Sequence, residues 1–305
     1  MIFYIAKVKI AVQMKKYSLL LLLLCLGLQP LMAQKKATPK VQHTQKYVPR
    51  PIPKPTAAKD ERLVEITTDF GTMVAKLYNE TPQHRDNFIK LVKEGFYDSL
   101  LFHRVIKSFM IQGGDPLSKN ADSTTMLGSG DVGYKIPAEF VKQYYHKRGA
   151  LSAARDNNPE RASSGCQFYI VQGKTYTIEE LERIINSRNL SRKQAMLYEL
   201  AKNDSIQKKL GELQASGQKE AFQNYVKSLQ AIVDKQYNKN EPDKIDYDQI
   251  DTYLRVGGAP HLDGDYTVFG ELMSGFEVLD KIATTQTLPG DRPAKDIRMK
   301  MRMLN

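Results

Sequence analysis

The chain has 305 residues, 41% of them hydrophobic, so it can form one or two domains with buried cores. Its formal net charge of +11 could suit nucleic acid, but much of the excess lies in the N-terminal quarter, where acids are few, so no nucleic-acid partner is predicted. Cys25 lies in the first hydrophobic run, which leaves Cys166 as the one predicted thiol of the mature chain, too few for a disulfide framework or a Cys-based metal site.

The first predicted element is a secretory signal peptide at residues 1–33. Residues 14–17 include two lysines, residues 18–28 form an apolar run, and the segment ends at Ala33, after which we expect cleavage. The apolar run is too short to span a bilayer comfortably. This pattern predicts export to the periplasm or cell envelope.

Two alternatives concern the same segment. Residues 1–13 add nothing to the signal pattern, so Met14 is an alternative start. Lipoprotein anchoring would need acylation of Cys25, and the residue before it, Leu24, stands where a small residue is expected. Membrane contact is therefore expected only through the signal peptide, with a lipid anchor as the less favoured alternative.

Residues 34–61 form a predicted linker. They are rich in Pro and Lys, with Pro, Arg and Lys concentrated at residues 50–55. Such a composition cannot bury a core and favours extended polyproline geometry. The segment is interpreted as a tether, or alternatively as a basic strap for anionic envelope surfaces.

A β-hairpin and a helix are predicted next. Residues 64–67 and 72–77 alternate as two strands around a turn at residues 69–71. Thr81, followed by proline, predicts a helix N-terminus, and Gly95 predicts its end.

Residues 102–115 alternate apolar and polar side chains and end in a Gly-Gly-Asp turn, which predicts a strand. Strand residues of like parity share a face, so Arg104 and Gln112 would lie together while Phe109 points away. Bringing all three to one site would need a kink near Lys107 and Ser108. The simplest alternative is an edge strand with a solvated arginine.

The rest of the chain contains a loop, an insertion and a return to strand patterning. Residues 121–133 predict a loop, and residues 134–140 an extended segment. Residues 177–256 open with a capping box at Thr177 and predict an α-helical insertion of two to four helices. A second capping box is predicted at residues 274–277, opening a helix, and residues 297–303 alternate as a closing strand.

Four segments in order resemble the cyclophilin family of peptidyl-prolyl isomerases. Residues 102–115 match its signature with the spacing intact, and further matches follow at residues 149–154, 164–170 and 261–270. The resemblance covers residues 62–176 and 257–305. It implies a mainly β fold: a closed eight-stranded antiparallel barrel with two capping helices, to which the helical insertion is added.

The resemblance also implies an activity. Rotation about an Xaa–Pro bond is slow because the amide resists twisting, and no metal or cofactor is needed to accelerate it. Twisting localises a lone pair on the prolyl nitrogen, which a forked, permanently charged donor would stabilise. The family pattern gives this role to Arg104. The predicted partners are proline-containing polypeptides, including folding envelope proteins.

The remaining site residues are assigned by position in the family pattern, and most of them in isolation would be ordinary core residues. Gln112 is expected to bind the substrate backbone and to fix Arg104. Gln167 is expected to support the groove that holds the residues before proline. The apolar proline pocket is implied to comprise Phe109, Met110, Tyr169, Leu262 and Tyr266. The groove is implied to comprise Ala154 and Arg155.

The chain departs from the family pattern at several of these positions. Tyr169 and Tyr266 stand where Phe and His are common, which keeps an aromatic wall. Arg155 replaces a common Asn and adds a cation. His261 replaces a common Trp, which puts cyclosporin affinity in doubt but need not affect isomerisation.

Two further residues are assigned structural roles, and one alternative function stays open. His103 is expected to be structural because the reaction transfers no proton, and Cys166 is expected to be a small buried side chain in a strand. The leading hypothesis is an exported isomerase that assists folding. The alternative is a non-catalytic chaperone module that binds proteins through the helical insertion.

Overall fold

A computed structural model describes residues 62–122, 124–240 and 246–304. The predicted signal peptide at 1–33 and the predicted linker at 34–61 lie outside this part of the chain. The described residues divide into two compact units, one of residues 185–240 and one of residues 62–184 with 246–304. No helix within the described ranges combines the length and the apolar character that crossing a membrane requires.

The larger unit is built on an eight-stranded sheet in which every neighbouring pair is antiparallel. The strand order is β10-β1-β2-β9-β6-β8-β4-β3, and β5 pairs with β7 in a separate ribbon. The strands are β1 (Arg62–Thr68), β2 (Gly71–Leu77), β3 (Phe102–Ile106), β4 (Met110–Gly113), β5 (Lys135–Ile136), β6 (Ala150–Ala153), β7 (Ser163–Ser164), β8 (Phe168–Val171), β9 (Val268–Ser274) and β10 (Lys300–Met303).

The expected closed barrel is only partly realised, because no regular ladder joins β3 to β10. The two ends of the sheet meet instead just outside these strands. The backbone N–H of Phe102 donates to Ile297 O (2.9 Å), and Ser99 and Leu100 exchange hydrogen bonds with Met299. The predicted closing strand at 297–303 is therefore split, with residues 297–299 completing the curl and Lys300–Met303 pairing with β1.

The predicted β1–β2 hairpin is present, with Thr68 opposite Gly71 across a two-residue turn. Alternate residues of β1, including Val64 and Ile66, are fully buried. They join a core inside the curled sheet that Phe88, Phe168 and Leu279 also help to fill. The period-two pattern of this strand thus reports one buried face.

Helix α1 (Pro82–Lys93) packs on this core and ends as predicted, since Gly95 takes φ +67° and its N–H donates to Val92 O at 3.1 Å. Its N-terminus differs from the prediction, because the side chain of Thr81 makes no capping hydrogen bond. The Glu139 carboxylate caps the helix from a distant segment, accepting from the backbone N–H groups of Gln83 (3.1 Å) and His84 (3.0 Å).

The helix predicted after residue 274 is also present, but the capping box is wrong. Ser274 is the last residue of β9, and the N-cap is Gly275 with φ +84° and no side-chain cap. A Cβ at this position would lie 2.5 Å from Thr72 O. Glycine is therefore required where the chain turns from β9 into helix α6 (Phe276–Ala283).

The described residues of the predicted insertion are mainly helical, with short turns between the helices. It holds α2 (Ile178–Ala201), α3 (Asp204–Ala215), α4 (Lys219–Asn240) and α5 (Tyr247–Arg255), in agreement with two to four predicted helices. The capping box at Thr177 is confirmed, since Thr177 Oγ1 accepts from Glu180 N–H (3.2 Å) and the Glu180 carboxylate accepts from Thr177 N–H (2.9 Å). Helix α5 belongs to the larger unit, while most of α2, together with α3 and α4, forms the smaller one.

Candidate active site

The signature residues 102–115 form a β-hairpin, so the prediction of a single strand was wrong, although the chain does change direction near Lys107 and Ser108. Residues 107–109 make a tight turn between β3 and β4, and Ser108 adopts φ +63° there. The antiparallel register places Arg104 directly opposite Gln112. Cross-strand partners share a sheet face, so the predicted pairing of these two side chains holds for a different reason.

The same register continues across two more strands. Gln112 faces Tyr169 on β8, and Tyr169 faces Ser152 on β6. Arg104, Gln112 and Tyr169 therefore lie in one row on the outer face of the sheet, opposite the face whose side chains, such as Ile111 and Ile170, fill the interior.

Arg104 is held by two side chains, while its own side chain stays 42% exposed. Its Nη1 donates to Oε1 of Gln112 at 3.4 Å, and its Nε donates to Oδ2 of Asp291 at 3.2 Å. Asp291 lies in the segment before β10 and was not predicted. The two contacts leave further N–H groups of the guanidinium fork available at the surface of the sheet.

Gln112 is fixed in turn by Gln167, a contact that was not predicted. Nε2 of Gln112 donates to Oε1 of Gln167 at 3.1 Å. Nε2 of Gln167 donates to the carbonyl oxygens of Gly130 (2.7 Å) and Gly128 (3.1 Å). In this series of hydrogen bonds the oxygen and the nitrogen of each amide have different partners. The hydrogen bonds therefore orient Gln112 toward Arg104.

The residues predicted for the proline pocket gather in one apolar cluster beside this row. Met110 and Tyr169 are buried in it, and Phe109, Leu262 and Tyr266 pack against it while remaining partly exposed. Ala154, which was predicted for the groove, is buried in the same cluster. His261 lies at the edge of the cluster, with its ring centroid 5.2 Å from that of Phe109. A half-exposed apolar surface next to a forked cation can bind a small ring and donate a hydrogen bond beside it.

Arg155 lies at the edge of the same cluster. Its guanidinium carbon is 4.6 Å from the centroid of the Tyr266 ring, a cation–π distance. Its Nε donates to Asp265 O (2.8 Å) and its Nη1 to Asp156 O (2.9 Å). The structure thus brings together all eleven predicted site residues around one apolar cluster and the adjacent hydrogen-bond row.

Comparison with known proteins identifies the family. The family described as "Cyclophilin type peptidyl-prolyl cis-trans isomerase/CLD" matches residues 63–231 and 235–302. The chain belongs to this family. The function implied by that membership is isomerisation of peptide bonds that precede proline.

Individual relatives agree with this assignment. A Staphylococcus aureus protein named "Putative peptidyl-prolyl cis-trans isomerase" is 31% identical over 235 residues, which cover 77% of this chain and 87% of the relative. A Streptococcus pyogenes protein named "Putative bifunctional phosphatase/peptidyl-prolyl cis-trans isomerase" is 32% identical over 239 residues. The match covers 77% of this chain but spans only 37% of that relative's length.

Among solved structures, a cyclophilin-type isomerase of Cryptosporidium parvum resembles the chain with a TM-score of 0.48 and 20% sequence identity. The match covers 80% of this chain and 98% of that one.

The aromatic residue Tyr169 of this cyclophilin carries a buried hydroxyl, and the residues that satisfy it were not predicted. The Tyr169 hydroxyl lies 2.9 Å from Nε2 of His146, whose Nδ1 is 2.9 Å from Oδ1 of Asp263. Burial raises the pKa of Tyr169 well above its ordinary value, so its hydroxyl stays protonated. His146 precedes one family motif and Asp263 lies within another, but nothing in either motif pointed to this contact.

His103 and Cys166 are buried, as expected. Burial lowers the pKa of His103 to about 4, which favours the neutral ring. Burial raises the pKa of Cys166 to about 11 and makes the thiol unreactive. Cys166 lies in a bend between β7 and β8, so its predicted place in a strand was wrong.

No group of three or more His, Cys, Asp or Glu side chains in the described residues is arranged to hold a metal ion. The Tyr169 hydroxyl of this row lies beside the His146 imidazole, but it is buried and its pKa is raised well above the ordinary value, so it does not serve as a nucleophile. What this row and the apolar cluster can offer a substrate is binding, orientation and a fixed positive charge.

Proposed function

We propose that the protein accelerates rotation about Xaa–Pro bonds and that Arg104 stabilises the twisted amide in the transition state. The observation that carries this proposal is the position of Arg104 beside Gln112, in the hydrogen-bond row that borders the apolar cluster. In this arrangement Met110, Tyr169 and Tyr266 hold the proline ring. Gln112 binds the substrate backbone.

The energetic requirement is modest. An acceleration of about a thousandfold needs only about 4 kcal/mol of preference for the twisted amide over the planar forms. A hydrogen bond from a charged donor contributes about 1.5–3 kcal/mol, and binding of the proline ring adds to it. The pair with Asp291 and the contact with Gln112 hold the guanidinium in place before the substrate arrives, which lowers the cost of ordering it.

The test is the cis–trans exchange rate of a short Ala-Pro peptide. Arg104→Ala is expected to lower the acceleration at least about tenfold, which corresponds to about 1.4 kcal/mol, while peptide binding and folding survive. Arg104→Lys keeps the charge but loses the forked donor, so its acceleration of exchange should lie between those of wild type and Arg104→Ala. Arg302→Ala removes an exposed arginine that pairs with Glu65 and serves as the matched control.

If wild type and Arg104→Ala accelerate exchange equally, the role of Arg104 is rejected. If wild type leaves the exchange rate unchanged, the isomerase proposal fails.

We further propose that the protein is exported and assists the folding of envelope proteins that contain proline. The support is the basic, apolar and cleavage-type pattern of residues 14–33. Cell fractionation followed by N-terminal sequencing tests this proposal. A mature chain that begins at Gln34 in the envelope fraction is the expected result, and an uncleaved chain in the cytoplasm would contradict it.

A second candidate is a protein-binding chaperone role for the smaller unit. Helices α2 and α4 leave Tyr198 and Ile232 exposed, at 38% and 51%. Apolar side chains at a surface can bind unfolded clients. If this surface matters, Ile232→Asp should weaken the suppression of client aggregation while the exchange rate of the Ala-Pro peptide is unchanged. Equal suppression by both proteins would reject the candidate.

A further inference from the structure

A buried hydrogen-bond chain connects helix α5 to the predicted proline pocket. It begins at Tyr253, a residue of α5 that is fully buried. The Tyr253 hydroxyl donates to Oδ2 of Asp263 at 2.7 Å. Asp263 follows directly after Leu262, one of the residues at the edge of the apolar cluster.

The other oxygen of the same carboxylate holds His146. Oδ1 of Asp263 accepts from both the backbone N–H and Nδ1–H of His146, each at 2.9 Å. The His146 side chain is 1% exposed and that of Asp263 14%. A carboxylate can only accept hydrogen bonds, so this arrangement assigns the proton of the imidazole to Nδ1.

The hydrogen-bond chain ends at the predicted proline pocket. With the ring proton on Nδ1, Nε2 of His146 accepts from the Tyr169 hydroxyl at 2.9 Å. The imidazole and the Tyr169 ring are nearly parallel, with an interplanar angle of 12°. Tyr169 in turn meets Tyr266 edge to face, with ring centroids 5.9 Å apart. The hydroxyl contact made by His146 therefore orients Tyr169, and Tyr266 packs against the ring of Tyr169.

We propose that Tyr253, Asp263 and His146 are positioning residues that hold Tyr169 in place for binding of the proline ring. Helix α5, although it lies in the inserted segment, is then part of the isomerase site. This inference rests on the proposed function. It assigns a reason for tyrosine at position 169, since phenylalanine would fill the same volume but could not bond to His146.

The competing explanation is that Tyr253 only docks α5 on the larger unit. Two other contacts also dock this helix: Tyr145 and Thr252 share a hydroxyl–hydroxyl hydrogen bond of 2.9 Å, and Gln249 Nε2 donates to Lys142 O at 3.0 Å. Tyr145→Phe removes one hydroxyl from the docking of α5 without touching Asp263. It is therefore a matched control for Tyr253→Phe.

The experiment is a double-mutant cycle on the full chain, with two readouts. The dissociation constant of a short Ala-Pro peptide is measured by calorimetric titration, and the cis–trans exchange rate is measured separately. Tyr253→Phe is expected to weaken peptide binding about fivefold, the usual effect of losing one hydrogen bond. In the Tyr169→Phe background, Tyr253→Phe should produce no further change, because His146 no longer bonds to the pocket. Tyr145→Phe should leave binding as in wild type.

Two outcomes would overturn the proposal. Equal effects of Tyr253→Phe in both backgrounds would show that the hydroxyl acts independently of Tyr169. Equal effects of Tyr253→Phe and Tyr145→Phe would show that only helix docking matters. If wild type binds the peptide but does not accelerate exchange, the proposed function fails while the binding cycle still decides the present inference. A wild type that binds no peptide overturns both.

Discussion

Asp291 places its carboxylate 3.2 Å from Nε of Arg104, across 187 positions of sequence, and the backbone of the same residue also supports β3. Its carbonyl oxygen accepts from the N–H of Val105 at 2.8 Å. The side chains of the ion pair are 42% and 45% exposed. An exposed pair of this kind contributes only about 0–1 kcal/mol to stability, so its main effect is on the orientation of Arg104.

Asp291→Asn is expected to lower the isomerisation rate about twofold to fivefold, the effect of up to about 1 kcal/mol, with little change in the free energy of unfolding. Asn suits this position because Asp291 has φ +64°, a conformation that Asn tolerates. The rate constant kcat/KM for a proline peptide is the measurement. Asp296→Asn, which removes a carboxylate that pairs with Arg292 and Arg298, is the control. A rate unchanged in Asp291→Asn would mean that Gln112 alone orients Arg104.

Gln167 connects the catalytic row to the loop at residues 128–130 through its amide donors. Gln167→Glu keeps the shape but replaces both donors with an acceptor that faces the carbonyl oxygens of Gly128 and Gly130. We expect a loss of about 1–3 kcal/mol in the free energy of unfolding, together with a lower isomerisation rate. Denaturant unfolding measures the first effect. Gln223→Glu, at an exposed position of α4, controls for the added charge, and equal stability of the two variants would contradict the prediction.

Local sequence patterns correctly predicted the elements that end in a glycine or begin with a capping box. The β1–β2 hairpin has a glycine at its turn, helix α1 ends at Gly95, and helix α2 begins at a capping box. The β3–β4 hairpin was missed because residues 107–109 contain no Gly, Pro or Asn, and Ser108 supplies the positive φ instead. A β-turn of this kind has no strong sequence signal.

The site was predictable only as far as the family motifs reached. Arg104, Gln112 and the apolar residues were assigned by position in those motifs, and the structure gathers them. Asp291 and His146 could not be assigned, because their roles depend on contacts between segments far apart in sequence. The same holds for Glu139, which caps α1 from 55 residues away. Tertiary partners of this kind leave no periodic trace in a single sequence.

His103 should make stability depend on pH. Neither ring nitrogen makes a hydrogen bond of normal geometry within the described part of the chain, and burial lowers the pKa to about 4 from an ordinary value of about 6.5. In the unfolded chain His103 takes up a proton below about pH 6.5, while the folded protein resists it. The stability contribution is therefore complete above that pH and is lost as the pH falls toward 4.

The prediction for His103 is a loss of about 2 kcal/mol in the free energy of unfolding between about pH 7.5 and about pH 5. His103→Leu removes the titrating group, so its free energy of unfolding should fall less over the same pH interval. Because His84 also has a pKa lowered by burial, only the difference between the two proteins reports His103. Parallel pH dependence in wild type and His103→Leu would rule out the assignment.

Arg155 should give the groove a preference for acidic substrates, since it places a cation where the family often has Asn. Its position over the Tyr266 ring and its hydrogen bonds to Asp265 O and Asp156 O hold it at the pocket edge. A fixed cation there attracts a carboxylate on the residues before proline, and the attraction weakens as salt is added.

We therefore expect wild type to act faster on a peptide with Glu immediately before proline than on the matched peptide with Lys. Arg155→Asn should reduce that difference while retaining activity on an Ala-Pro peptide, and Arg302→Ala should not. Raising the salt concentration should reduce the preference in wild type and have little effect in Arg155→Asn, because the screened charge is then absent. An equal preference in all three proteins would mean that the Arg155 charge does not reach the substrate, and that the residue acts only by holding Tyr266.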